Sequence, residues 1–98
     1  MATQQSERAG KVVVITGGGA GLGLAIARRL AADGHRLFLL GRTGDKVRAA
    51  AEGLGMGAVG VPCDVSDPDS VDAAFAEIAR HAPRIDVLVN NAGVFAPF

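Results

Sequence analysis

The chain has 98 residues, with ten Lys plus Arg against ten Asp plus Glu and a formal net charge of zero. That length accommodates one domain with one modest core, burying a little over roughly 60% of the extended-chain surface. Balanced charge offers no field to draw in nucleic acid or an anionic membrane, and the lone Cys63 has no thiol partner for a disulfide or a metal, so the expected setting is the reducing cytoplasm.

Residues 1–10 lack the basic start and apolar run of a secretory signal and read as a polar, poorly ordered lead-in, leaving 11–98 as the folded part. The uncharged run 12–27 is too short and too glycine-rich to span a membrane. Its first five residues, 12–16, are a β-branched strand that runs straight into glycines. A helix is expected over 21–33, with Leu22, Ile26 and Leu30 stacked at four-residue intervals and Gly34 placed to end it. A second strand follows at 36–41. The next helix is weaker: Val47, Ala50, Ala51 and Leu54 share a stripe, Thr43 is a candidate cap, and Gly53 and Gly55 loosen its end.

A third strand is expected at 57–62. The third helix has the clearest signals, with Asp67 as N-cap, Pro68 in the first turn, and Val71, Ala74, Phe75, Ile78 and Ala79 at helical spacing before Pro83. The last strand, 85–89, is apolar on both faces. Strands alternating with helices predict an α/β fold, a parallel sheet joined by right-handed crossovers.

Strand, glycine turn and helix in that order can hold a phosphate. Glycine permits positive φ, lets backbone N–H groups approach an anion, and allows tight helix–strand packing, while the helix N-terminus adds favourable partial charge. Gly17, Gly19, Gly21, Leu22 and Gly23 are the candidate residues. The spacing Thr-Gly-x-x-x-Gly-x-Gly fits neither Gly-x-Gly-x-x-Gly nor a P-loop, because Gly18 and Gly23 are not followed by Lys and Ser or Thr. His35 and His81 have no ligand constellation around them, so no metal site is expected. Asp69, Asp72 and Glu77 read as a solvated helix face.

This spacing resembles the N-terminal signature of the short-chain dehydrogenase/reductase family. Two further features recur in that family's order: Cys63-Asp64-Val65-Ser66-Asp67 after the third strand and Asn90-Asn91-Ala92-Gly93 after the fourth. The resemblance covers roughly residues 11–95. It implies a Rossmann-like four-stranded sheet of order 3-2-1-4 with three crossover helices, truncated relative to the full family fold. It also implies that Asp64 and the Val65 backbone border an adenine, and that Asn91 and Gly93 lie beside the cofactor ribose. From the residues alone, Asp64 could equally satisfy loop amides, and Asn90 and Asn91 could simply form a turn.

An NAD site places an acid at the end of the second strand, whereas an NADP site prefers Arg nearby. Here that end reads Leu40-Gly41-Arg42-Thr43. Arg42 can meet a 2′-phosphate with a charge-assisted contact of order 1.5–3 kcal/mol, so NADP is expected ahead of NAD. The alternative for Arg42 is a solvated charge with Asp45 as its local partner. Ala20 lacks the basic residue that some NADP-preferring relatives carry there.

The resembled family uses a Ser, a Tyr and a Lys four residues after it. The chain has no Tyr, its serines are Ser6, Ser66 and Ser70, and its lysines Lys11 and Lys46 both lie in the cofactor-binding half. No catalytic residue is therefore assigned, and the resemblance places all three beyond residue 98. The expected function is an NADP(H)-binding half of a carbonyl/alcohol oxidoreductase, inactive alone. The alternatives are a self-assembling half-Rossmann scaffold without nucleotide and one part of a split enzyme completed by a C-terminal half. In the chain alone residues 85–89 are expected to form an open edge, which invites pairing.

Overall fold

The structure, a computed structural model, describes residues 10–91. Its elements run β1 (Val12–Thr16), α1 (Gly21–Ala32), β2 (Arg36–Gly41), α2 (Gly44–Leu54), β3 (Val59–Pro62), α3 (Pro68–His81) and β4 (Val87–Asn90). The four strands form one parallel sheet in the order β3-β2-β1-β4, with Val14 opposite Phe38 and Leu88, and Phe38 opposite Val59. Three helices connect them, which is the Rossmann-like arrangement expected. Apart from Gly10, the lead-in lies outside the described residues.

Alternation along β1 and β2 divides the core into two layers. Val13, Ile15, Leu37 and Leu39 face α1 and α2, meeting Ala27, Ala31, Val47 and Ala51. Val12, Val14, Phe38 and Leu40 face α3, meeting Ala74, Ile78 and Ala82. Every residue of β1 is buried because a helix layer covers each face and a strand flanks each edge. The edge strand β4 differs: Val87 and Leu88 are exposed, and no described strand pairs with its outer side. Its apolar composition suits an interior strand, but its position leaves those side chains in water.

The expected Leu22, Ile26 and Leu30 stripe does not form the buried face of α1. Gly23, Ala27 and Ala31 are buried instead, Ile26 and Leu30 pack at the flank, and Leu22 is 69% exposed. The helix lies so close to the sheet that only small residues fit at its centre. On α3, Ala74 and Ile78 are buried, Val71 and Phe75 pack against them, and Ala79 faces solvent. Asp67 caps α3 by accepting from the Asp69 N–H at 3.0 Å. Thr43 occupies the N-cap of α2 but makes no capping hydrogen bond with its side chain, contrary to expectation. The α1 end is closed through the Gly34 N–H to the Ala31 carbonyl and the His35 N–H to the Leu30 carbonyl.

The fourth strand begins two residues later than expected because Ile85 and Asp86 lead into it. Asp86 anchors that start: its Oδ2 accepts from the Val12 N–H at 2.7 Å, its own N–H donates to the Val12 carbonyl at 2.8 Å, and Arg84 Nε donates to Oδ1 at 2.9 Å. The third strand likewise spans only Val59–Pro62, and α1 stops one residue short of 33.

The Val12 N–H, followed by the Arg84 side chain, holds the Asp86 carboxyl below its ordinary value of 3.8. A depressed carboxylate pKa adds stability above the unfolded value and loses it as pH falls through the folded one. The Asp86→Ala variant is expected to melt a few degrees lower at pH 7, with the gap to the parent closing as pH falls below about 4. Thermal melts across pH 2–7 check this, and a gap independent of pH overturns the carboxylate's role.

Candidate functional site

The carboxyl ends of β1, β2, β3 and β4 lie along one edge of the sheet, and the chain order reverses at β1, between β2 and β4. Open α/β sheets place their ligand crevices at such a reversal. Gly17 leaves β1 with φ +67° and Gly21 opens α1 with φ +57°, left-handed values that L side chains rarely adopt. The turn is held by the Gly17 and Gly18 N–H groups, which donate to the Leu40 carbonyl at 2.7 and 3.2 Å. Ala20 is the N-cap of α1, and it offers no side-chain acceptor to the first-turn amides; no acid stands in that turn. The positive end of α1 is therefore open to an external anion.

Gly23 sets the depth of the turn. A Cβ there would overlap the Gly17 carbonyl oxygen and stand 2.6 Å from Asn91 Nδ2. Asn91 joins β4 to the same turn, donating from Nδ2 to the Gly17 carbonyl at 3.3 Å and from its backbone N–H to Thr16 Oγ1 at 2.9 Å. The Thr16 hydroxyl lies 3.2 Å from Asn90 Oδ1. The asparagines thus tie two strand ends and the glycine turn together, which is more than the formation of a local turn. Gly93 lies outside the described residues.

Gly17, Gly19, Ala20, Gly41, Arg42, Thr43, Lys46 and Val47 line a cleft of about 240 Å³. The sequence-predicted Gly17, Gly19 and Arg42 share it, whereas Leu22 points to solvent outside it. Sequence reasoning missed Lys46 as a lining residue; its position four residues beyond Arg42, across the first turn of α2, is the signal that could have found it. Asp45, the proposed local partner of Arg42, lies 3.9 Å from Arg48 instead.

Asp64 follows β3 at the same sheet edge. Its Oδ1 accepts from the Ser66 hydroxyl at 2.6 Å and the Ser66 N–H at 3.0 Å, while its own N–H donates to Ser70 Oγ at 2.9 Å. The Ser66 hydroxyl and N–H, with a smaller contribution from the Arg42 charge, hold the Asp64 carboxyl below the usual carboxylate range. Asp64 therefore does satisfy loop donors, and the neighbouring Val65 is 47% exposed. Cys63 is buried beneath this loop, and burial pushes its thiol pKa up.

The remaining singled-out side chains lie elsewhere. Glu77 pairs with Arg80 and with His81, whose Nε2 lies 3.1 Å from Glu77 Oε2, and the His81 carbonyl accepts from Arg36 at the opposite end of the sheet. His35, just past the end of α1, is half-buried, and its Nδ1 is enclosed without a hydrogen-bond partner. Among the described residues, no three His, Cys, Asp or Glu side chains gather as a metal-binding group, and no helix is long and apolar enough to cross a membrane.

Comparison with known proteins matches residues 11–98 to the short chain dehydrogenase family. The 3-oxoacyl-[acyl-carrier-protein] reductase MabA of Mycobacterium tuberculosis is 46% identical over 84 residues, covering 86% of this chain and 31% of that protein. A 3-ketoacyl-(acyl-carrier-protein) reductase from Brucella melitensis, solved with NADH, superposes with a TM-score of 0.83 at 36% identity, over 88% of this chain and 35% of that one. L-sorbose reductase from Gluconobacter frateurii, solved with NADPH and L-sorbose, gives 0.84 at 39% identity, over 91% and 35%. The chain thus spans about a third of the length of the proteins it resembles.

Two glycine substitutions separate close approach from mere flexibility. Gly23→Ala is expected to destabilise by about 3 kcal/mol or more, because backbone stands where its methyl would go. Gly53→Ala, with nothing within 4 Å of its added Cβ, is expected to stabilise α2 by about 0.5 kcal/mol. Urea unfolding of both variants reads the opposite signs.

Proposed function

Because the chain belongs to the short-chain dehydrogenase/reductase family, we propose that residues 11–98 form the cofactor-binding half of a reductase and hold NADP(H) in preference to NAD(H). The observation that carries this reading is the shared cleft: the glycine turn and Arg42 open onto one space, beside a helix N-terminus that no side chain caps. A pyrophosphate suits the open amides of the α1 first turn. Arg42 suits a 2′-phosphate, and the end of β2 offers no carboxylate to accept from an unphosphorylated ribose.

The other assignments follow the same edge of the sheet. Asp64 and the backbone of Val65 border the adenine, with the Asp64 side chain keeping that loop in shape. By the family resemblance Asn91 and Gly93, the latter outside the described residues, are assigned to the cofactor ribose. When bound, the dinucleotide supplies hydride chemistry between itself and a carbonyl or alcohol; these residues bind and orient it, and none of them transfers the substrate proton. The chain alone is expected to show negligible turnover. The lone buried thiol of Cys63 agrees with a cytoplasmic setting.

Calorimetric titration with NADP⁺ and NAD⁺ tests the reading. Saturable NADP⁺ binding that weakens about tenfold or more in Arg42→Ala, with NAD⁺ little changed, is the expected result. Failure of a folded chain to bind either dinucleotide at millimolar concentration overturns it.

The β4 edge favours a second, compatible role, in which this half-sheet associates with a second copy or with a complementing C-terminal half. Val87 is 41% and Leu88 54% exposed on a strand with an unpaired outer side among the described residues. Sedimentation at tens of micromolar is expected to show concentration-dependent association that Leu88→Lys abolishes. A clean monomer overturns the self-association.

A further inference from the structure

The cleft beside the glycine turn contains a second cation. Lys46 reaches it from the first turn of α2, and its stem stands over the turn, with Cγ 3.7 Å from the place that a Cβ on Gly19 would take. Val47 fixes that turn of the helix: it is 2% exposed, and its Cγ1 fills the space above both Gly19 and Gly41. The backbone carrying Lys46 is thereby seated against the sheet. On the α1 side of the cleft stands Ala20, whose methyl group contributes no charge.

The charges around Lys46 leave it available. Asp45, its neighbour, lies towards Arg48, and among the described residues neither Lys46 nor Arg42 forms an ion pair. Thr43, between them, also lines the cleft and spends no side-chain hydrogen bond on capping α2. Arginine and lysine side chains are donors without acceptor capacity, so a space framed by Arg42, Lys46 and the Thr43 hydroxyl suits a dianionic phosphate monoester better than free ribose hydroxyls.

We propose that Lys46 is a specificity-determining residue of this site, its ammonium group meeting the adenosine 2′-phosphate from the α2 side and sharing with Arg42 the selection of NADP over NAD. This rests on the cofactor reading above. Arg42 supplies a planar fork that fixes the orientation of the phosphate, and Lys46 supplies a mobile point charge over the glycine turn.

Titration of the parent chain, Lys46→Gln and Lys46→Arg with NADP⁺, NAD⁺, 2′,5′-ADP and 5′-ADP tests it, with circular dichroism confirming the fold of each variant. The expected result is a loss of about tenfold for NADP⁺ and 2′,5′-ADP in Lys46→Gln, with NAD⁺ and 5′-ADP changed by less than about twofold. Lys46→Arg is expected to retain most of the affinity, and added salt to narrow the difference between parent and Lys46→Gln. Equal losses for phosphorylated and unphosphorylated ligands, or unchanged NADP⁺ affinity in Lys46→Gln, overturn the role of Lys46 while leaving the cofactor reading intact. A parent chain that binds no NADP⁺ overturns both.

Discussion

The closeness of α1 to β1 is the constraint on which the rest depends. Gly23 lies against the Gly17 carbonyl with no room for a methyl group, and Ala27 and Ala31 continue the small-residue face along the sheet. A bulkier face would lift the helix, and with it the open amides that stand at its first turn. The same approach sets where the Gly17 carbonyl meets Asn91 and where the turn meets Val47 and Lys46 from α2. Packing at Gly23 thus shapes a cleft whose lining comes from the β1–α1 turn, the end of β2, the β2–α2 connection and the start of α2.

That dependence also explains what could be read in the sequence. The bounds of β1 and β2 were legible because both strands are buried on both faces, which demands continuous apolar runs. The sheet order was implied by the family resemblance, which rested on three ordered motifs. The inner face of α1 was misread because Leu22, Ile26 and Leu30 satisfy a helical period as well as Gly23, Ala27 and Ala31 do. Hydrophobic size argued for the leucines, but the distance between helix and sheet selects the small residues. Thr43 had the right residue type and position for a cap, yet a cap also needs its hydroxyl turned towards the helix amides.

Charged residues were harder to read than apolar ones. Asp86 was not singled out because nothing local distinguishes it, and its partner Val12 lies 74 positions away. Lys46 has no local signal beyond its spacing from Arg42, because its relation to the glycine turn exists only once α2 has packed against β2 and α1. Arg42 was legible because its place at the end of a strand has a local meaning. At Asp64 the observed contacts are those of a carboxylate satisfying the donors of its own loop, the Ser66 N–H and hydroxyl. The cleft therefore joins strand-end positions that pattern can locate to a helical cation that only packing can bring near.

The fastening of β4 to β1 at both ends has a consequence for the order in which the molecule assembles. Asp86 holds the Val12 end, and Asn91 holds Thr16 and Gly17, each across some 74 or 75 positions of chain. Closing a loop of that length has a larger entropic cost than pairing β1 with β2 or β2 with β3, whose partners lie much nearer in sequence. The first three strands can therefore collapse early with the glycine turn still loose at its Asn91 side. During synthesis from the amino terminus the turn waits for the last described strand to emerge, so ordering of the glycine turn reports completion of these four strands.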